Sequence, residues 1–347
     1  MPQPCILFVP VSGSAGSGEV QRCVLLAQAL QQRWPGAQSH FLLAEGTAAP
    51  DVAVTALSAS PTRVPEEVVA AIRRLRPALV VFDGNARVAT LAAARDVGAR
   101  TVLISSRPSA RDRGLRWRRM AQLDAHWLVG AELRDAPGWR ERLSRWRHPQ
   151  VQVRRFATVF AMPEPVTPLL QQVGVAAGQP FVVVCAGGAG VAGAAALFGD
   201  VAARVAQSGI ATIAIGVPGD APAIALAHLP NAQLMGLLAA SRAAFLAGGS
   251  LLVQALALKV PTLALPLQDE QAARVHWLAG QGAVTVAAGG DPQQLAHALC
   301  ALADDPATRA RLQQACSALA LDNGLDAMAD ALGDFAGLSR NPDRANP

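Results

Sequence analysis

The chain has 347 residues, is 52% apolar, carries a net charge of +5 and contains no Tyr. Its mean hydropathy is +0.27. That length and apolar content suit about two domains with buried cores, and the five dispersed cysteines, with no C-x-x-C pair, argue against a disulfide framework or a zinc site.

Charge is unevenly divided. Residues 1–160 hold 22 Arg against 12 acids, whereas residues 161–347 hold 8 basic residues against 13 acids. The first half is therefore suited to an anionic partner such as phospholipid, a diphosphate or nucleic acid. The opening MPQPCILFVP lacks the basic start of a signal peptide. The longest apolar region, Leu234–Leu267, is broken by Arg242, Gln254, Lys259 and Pro261, so no membrane span is expected. A cytoplasmic protein is expected, with the inner membrane face as the place where its basic half would dock.

In chain order, short apolar runs alternate with helical stretches. CILFV (5–9), HFLLA (40–44), ALVVF (78–82), TVLIS (101–105) and HWLVG (126–130) read as strands. Val20, Cys23, Val24, Ala27 and Leu30 recur at helical spacing and predict a helix over 20–30. Another is predicted over 66–76, ended by Pro77. The Pro-rich stretch Phe156–Pro180 interrupts the alternation. It restarts with strands at 181–186, 210–216, 243–247, 261–267 and 283–287, and with helices over 292–303 and 306–319. Continuous apolar strands between helices imply parallel sheets covered on both faces. The expected organisation is an N-terminal Rossmann-like domain over 1–160 and a linker over 161–180. A C-terminal Rossmann-like domain over 181–337 and a loose tail over 338–347 follow.

Open parallel sheets bind ligands beyond the carboxyl ends of their strands. SGSAGSGEV (12–20) lies there in the first half. Gly16 and Gly18 would present backbone N–H groups and a helix N-terminus to an anion or an acceptor, or simply make a tight turn. The spacing G-x-x-G-x-G is not the dinucleotide fingerprint, which disfavours a nicotinamide cofactor. Glu19 opens the helix either as a general base or as an acid that complements the helix dipole. Asp83, at the end of VVFD, orients an acceptor or starts a turn.

In the second half, CAGGAGVAG (185–193) carries Gly187, Gly188 and Gly190, which suit a diphosphate held by backbone N–H groups or a packing turn. Gly249, Ser250 and Gln254 follow the strand at 243–247, and Glu270 and Gln271 follow the strand at 261–267. Together they supply the donors and acceptors that sugar hydroxyls need. The histidines have no metal spacing, so neither a metal nor a bound cofactor is expected. Segments 107–120 and 139–148 interleave Arg with Trp117, Trp139 and Trp146. They either dock on an anionic membrane surface or form solvated helix faces with the Trp stems packed on the domain. No recognised nucleic-acid module accompanies the charge.

The succession SGSAGSGEV, AGGAG, AGGSLLVQALALKVP and QDEQAA resembles the GT-B glycosyltransferases, above all the N-acetylglucosaminyltransferase of peptidoglycan lipid synthesis. The opening GSGEVQRCVLLAQAL also looks like the nucleotide-sugar hydrolase of pseudaminic acid synthesis. The resemblance implies two Rossmann-like domains facing across a cleft, with 1–160 as the acceptor domain and 181–337 as the nucleotide-sugar donor domain. It also implies an inverting transfer from a nucleotide diphosphate sugar, UDP-linked, to an acceptor hydroxyl that is free or lipid-linked. The sugar nucleotide would be a co-substrate, with no other cofactor. Glu19 stands where these relatives usually have His, and Gln254 where they typically have a ribose-binding Glu. By the resemblance, Gly187, Gly188, Gly190, Gly249 and Ser250 approach the diphosphate, while Glu270 and Gln271 meet the sugar. The two departures keep two other functions open: a nucleotide-sugar hydrolase, and a binding protein that kept the fold and lost the donor.

Overall fold

The computed structural model describes residues 4–12, 18–47, 52–134, 136–188, 191–218 and 221–338. The chain forms two units, Met1–Phe156 with Gly324–Pro347, and Ala157–Asn323.

Unit 1 begins with β1 (Cys5–Pro10), α1 (Gly18–Arg33), β2 (Gln38–Ala44), β3 (Ala53–Leu57) and α2 (Pro65–Leu75). It continues through β4 (Leu79–Asp83), α3 (Val88–Asp96), β5 (Arg100–Ser105), α4 (Pro108–Gly114) and α5 (Trp117–Met120). Then come β6 (Ala125–Val129), α6 (Trp139–Arg147) and β7 (Gln152–Phe156). The seven strands are parallel and ordered β3-β2-β1-β4-β5-β6-β7. The chain leaves β1 toward β2 on one side and resumes with β4 on the other, so the order reverses between β1 and β4. That reversal opens a crevice at the carboxyl ends of these two strands.

Unit 2 repeats the plan. It runs α7 (Thr167–Gln172), β8 (Phe181–Cys185), α8 (Ala194–Gln207), β9 (Ala211–Ile215), β10 (Ile224–Leu226), α9 (Asn231–Ala240), β11 (Ala243–Ala247) and α10 (Ser250–Ala257). It ends with β12 (Thr262–Leu265), α11 (Asp269–Gly280), β13 (Thr285–Val286), α12 (Pro292–Asp304) and α13 (Pro306–Leu319). The order β10-β9-β8-β11-β12-β13 is again all parallel, with its reversal between β8 and β11.

The alternation of strand residues builds a core on each face of this second sheet. Val182, Val184 and Phe245 join Phe198, Val201 and Leu299 on one side. Phe181, Val183 and Leu246 join Met235, Leu237 and Val260 on the other. Phe198 stacks on Phe245 with ring centroids 4.3 Å apart. Local signals set the helix starts. Asp291 and Asp305 accept hydrogen bonds from the first-turn N–H groups of α12 and α13, each ahead of a proline.

Two boundaries differ from the sequence expectation. Residues 161–180 do not act as a linker. Phe160 and Val175 are buried in the second unit's core, with Val166, Leu169 and Leu170 packed beside them. Asn231 accepts from the Ala161 N–H at 2.8 Å and Asn323 from the Phe160 N–H at 3.1 Å. The prolines there punctuate a segment whose apolar side chains still find the sheet. The range 181–337 is also not one domain. After Asn323 the chain returns to unit 1 with α14 (Leu325–Phe335), which packs on α1. A Cβ on Gly333 would lie 2.3 Å from the Trp34 ring, so only glycine permits this approach. Arg33 reaches Asp326 at 2.5 Å and Asp330 at 3.3 Å. The expected tail, apart from Leu338, lies outside the described residues.

Candidate functional site

At the reversal point of unit 1, charge is concentrated where the strands are otherwise apolar. Asp83 ends β4 and is fully buried. Arg22, three residues after Glu19 and on the same side of α1, grips it in a two-point fork. Nε donates to Oδ2 at 2.7 Å and Nη2 to Oδ1 at 2.6 Å. Nη2 also reaches the Ser106 hydroxyl at 3.4 Å, and the Cys23 thiol donates to Asp83 Oδ2 at 3.7 Å. Burial pushes the Asp83 carboxyl up to about 6, against the pull of Arg22 and with a further push from Glu19. Burial works against the Arg22 charge, yet Asp83 raises the guanidinium above its ordinary value. Burial also raises the Cys23 thiol, with Asp83 adding to it.

Glu19 sits in the first turn of α1 and is buried. Arg107, half-exposed, places Nε 3.3 Å from Glu19 Oε1. Gly84 has φ +91°, and a Cβ there would come within 3.2 Å of Glu19 Cγ, so the turn after β4 lets the glutamate pack against backbone. The arrangement is a carboxylate at a helix N-terminus, with a half-exposed cation beside it and a buried ion pair starting three residues further along the helix. Such a carboxylate can take a proton from a hydroxyl.

Asp83 therefore cannot touch an acceptor directly, as the sequence suggested, because both its oxygens are engaged inside the protein. Gly18 is the exposed first residue of α1. Gly16 lies outside the described residues.

Unit 2 has the same edge with different furniture. Gly187 (φ +73°) and Gly188 follow β8 and are exposed, and Gly187 has nothing within 4 Å of where a Cβ would be. Gly190 lies outside the described residues. Gly249 caps α10 with open space around it, and Ser250 is the exposed first residue of that helix. Glu270 lies in the first turn of α11, partly exposed. This edge offers backbone N–H groups and the N-termini of α8 and α10, the elements that hold diphosphates.

Two residues expected to meet the donor have other work. Gln254 Nε2 donates to the Val159 carbonyl at 2.7 Å. Gln271 is buried, and its Oε1 accepts from the Leu267 N–H at 2.9 Å, which shapes the turn before α11.

The basic segments also resolve. Trp117, Trp139 and Trp146 are 60%, 66% and 76% exposed, so their stems are not packed on the domain. Sequence reasoning missed Arg22, Arg107 and Ser106. The signal for Arg22 was present. An arginine on a helix face otherwise made of Leu25, Leu26 and Ala29 must be paired when buried, and Asp83 is an acid directly after an apolar strand.

No family model matches the chain, and no curated protein matches it. Solved structures do. The spinosyn forosaminyltransferase SpnP superposes with a TM-score of 0.68 at 16% identity, covering 96% of this chain and 100% of its own. The Phytolacca americana UGT2, complexed with UDP-2-fluoro-glucose and pterostilbene, gives 0.66 at 12% identity, covering 96% and 100%. The S. aureus MnaA–UDP co-structure gives 0.61 at 12% identity, covering 98% of both chains. Two all-parallel α/β units and these likenesses establish the GT-B fold.

Proposed function

We propose that this GT-B chain is a glycosyltransferase that moves a sugar, with inversion, from a UDP-linked donor to an acceptor hydroxyl carried on a lipid. The observation that carries the reading is Glu19. It is a buried acid at the start of α1, at the reversal point of unit 1, beside a half-exposed cation and close to a buried ion pair. In the reading, Glu19 takes the acceptor proton as the hydroxyl oxygen bonds to the anomeric carbon and the diphosphate leaves. Arg22 and Asp83 do not touch substrate. Their fixed fork keeps the α1 N-terminus in place and balances one negative charge close to Glu19.

Unit 2 would hold the donor. Gly187, Gly188, Gly249 and Ser250 bring N–H groups to the diphosphate, whose growing charge they and the helix N-termini stabilise without calling on a metal. Glu270, in the first turn of α11 and partly exposed, would meet the sugar hydroxyls. That two solved structures of the same fold contain UDP or a UDP-sugar supports the uridine nucleotide. The basic face of unit 1 supports a lipid-linked acceptor.

The test has two arms. Thermal stability is measured with UDP, GDP, dTDP and CMP, where a ligand at 100 times its dissociation constant adds about 2.7 kcal/mol. UDP is expected to give the rise. A flat response to all four would favour a binding protein that has lost its donor. Glu19→Gln is expected to lower turnover by roughly 10²–10⁴ while leaving the UDP response intact. Sugar release from donor alone, at the full rate, would instead indicate a hydrolase.

A further inference from the structure

Helix α6 is built inside out. Its residues Glu141, Ser144 and His148 (just past its end), at i, i+3 and i+7, are buried against unit 1. Trp139, Leu143 and Trp146, at i, i+4 and i+7, face away from it and are 66%, 51% and 76% exposed. A surface helix ordinarily buries its apolar stripe. Here the buried face is polar because its groups have partners: Glu141 is taken by Arg155 at 2.5 Å, and the Ser144 hydroxyl donates to the Leu115 carbonyl at 3.1 Å. The outward tryptophans thus do nothing for the unit's own core.

Together with α4 and α5, this helix borders a groove of about 760 Å³, lined among others by Trp117, Trp139 and Leu143. Its rim is basic. Arg113, Arg116, Arg140 and Arg147 line it, against one acid, Asp112, which Arg140 holds at 3.5 Å. Among the described residues, no carboxylate pairs with Arg116, Arg118, Arg142 or Arg147. The Arg118 guanidinium instead lies 5.2 Å from the Trp117 ring centroid. The cations act on one another: burial, then Arg113, Arg116 and Arg87, lower the Arg119 guanidinium below its ordinary value. Inside the groove, His148 is 9% exposed and its Nε2 has no hydrogen-bond partner.

We propose that the α4–α6 face is a docking site for an anionic phospholipid surface. Trp139, Leu143 and Trp146 insert at the level of the headgroups, the arginines meet the phosphates, and the groove receives one headgroup. An outward apolar stripe flanked by arginine is the arrangement of a helix lying in a membrane interface. A nucleic acid would use the charge and the rings, but it has no use for Leu143 at the centre of the stripe. The inference rests on the sugar-transfer reading only in that it shows how a lipid-linked acceptor would be reached.

The experiment is flotation of the full chain, without nucleotide, on vesicles of phosphatidylcholine alone and of phosphatidylcholine mixed with phosphatidylglycerol. Binding is expected only to the anionic vesicles, weakening with salt. Each arginine removed among Arg116, Arg142 and Arg147 is expected to weaken it roughly fivefold. The triple change Trp139→Ser, Leu143→Ser, Trp146→Ser should abolish flotation. It alters exposed side chains, and an unchanged melting temperature and UDP response would show the fold intact. Absence of binding to anionic vesicles would overturn the proposal. So would binding that survives the triple change, or retention of a single-stranded RNA probe with no flotation. A missing UDP response beside normal flotation would count against the transferase reading alone.

Discussion

The two sheets have one plan and two different edges. At the β1–β4 reversal the space is filled by the protein's own charges, with Arg22 forked onto a buried Asp83 and Glu19 beside Arg107. At the β8–β11 reversal the space is left to backbone, with Gly187, Gly188 and Gly249 carrying no side chain into it. In the proposed function one topology would serve two chemistries. Side chains that donate or accept protons need burial and partners, whereas a diphosphate needs bare N–H groups and room. The contrast teaches where each edge is fragile. The first depends on charge balance, the second on volume.

Asp83→Ala breaks the first edge most severely. It leaves the Arg22 guanidinium buried without its partner, which costs about 3–5 kcal/mol. Urea unfolding should show the loss in the transition of unit 1, with the transition of unit 2 unmoved. Replacing both partners by apolar residues, Arg22→Met with Asp83→Leu, should recover most of it, because no charge is then stranded. Equal losses in the single and double variants would mean that the fork contributes more than charge compensation.

Acid sharpens the contrast next. His126, on β6, is fully buried, and its Nε2 lies 3.1 Å from the Ser105 hydroxyl. Burial, with Arg111 and Arg119, lowers the imidazole from its ordinary 6.5 to about 3. The unfolded chain takes up this proton first, so the stability of unit 1 falls as pH drops from 6.5 toward 3. The slope is at most about 1.4 kcal/mol per pH unit. Asp83 works in the opposite sense, since its folded carboxyl takes a proton near 6 and the unfolded one only near 3.8. It therefore favours the folded state between those values and masks part of the histidine's effect. The cleaner measure is the difference between the wild type and His126→Gln, which should move in favour of the variant across that range.

How far the sequence reached follows the same physics. Central strands such as β4 and β11 are continuous apolar runs and were legible from composition. The edge strands β3, β7 and β10 were not, because half-exposed edges carry mixed residues such as Arg154 and Arg155 and show no apolar run. Glu19 and the glycines could be picked out because they stand directly after a strand. What Gln254 and Gln271 bond to could not, because each partner is a backbone group that has no letter code. The return of α14 to unit 1 was hidden for a related reason. Its apolar stripe fits any sheet or helix, and only the glycine at 333 marks the close approach to Trp34.

Neighbouring glycines at the second edge supply the finest test. A Cβ on Gly248 would lie 2.8 Å from Val275 Cγ2 and 2.9 Å from Gln271 Cβ. Gly248→Ala should therefore cost about 1–3 kcal/mol by overpacking. Gly249 has φ −80° and nothing within 4 Å, so alanine fits there without strain. Gly249→Ala should leave stability within about 0.5 kcal/mol. If the edge receives a diphosphate, however, the added methyl occupies the space where the ligand approaches the backbone, and the UDP-induced rise in stability should shrink or vanish. Equal UDP responses in Gly249→Ala and the wild type would place the nucleotide away from the N-terminus of α10. The contrast between the two edges would then rest on Gly187 and Gly188 alone.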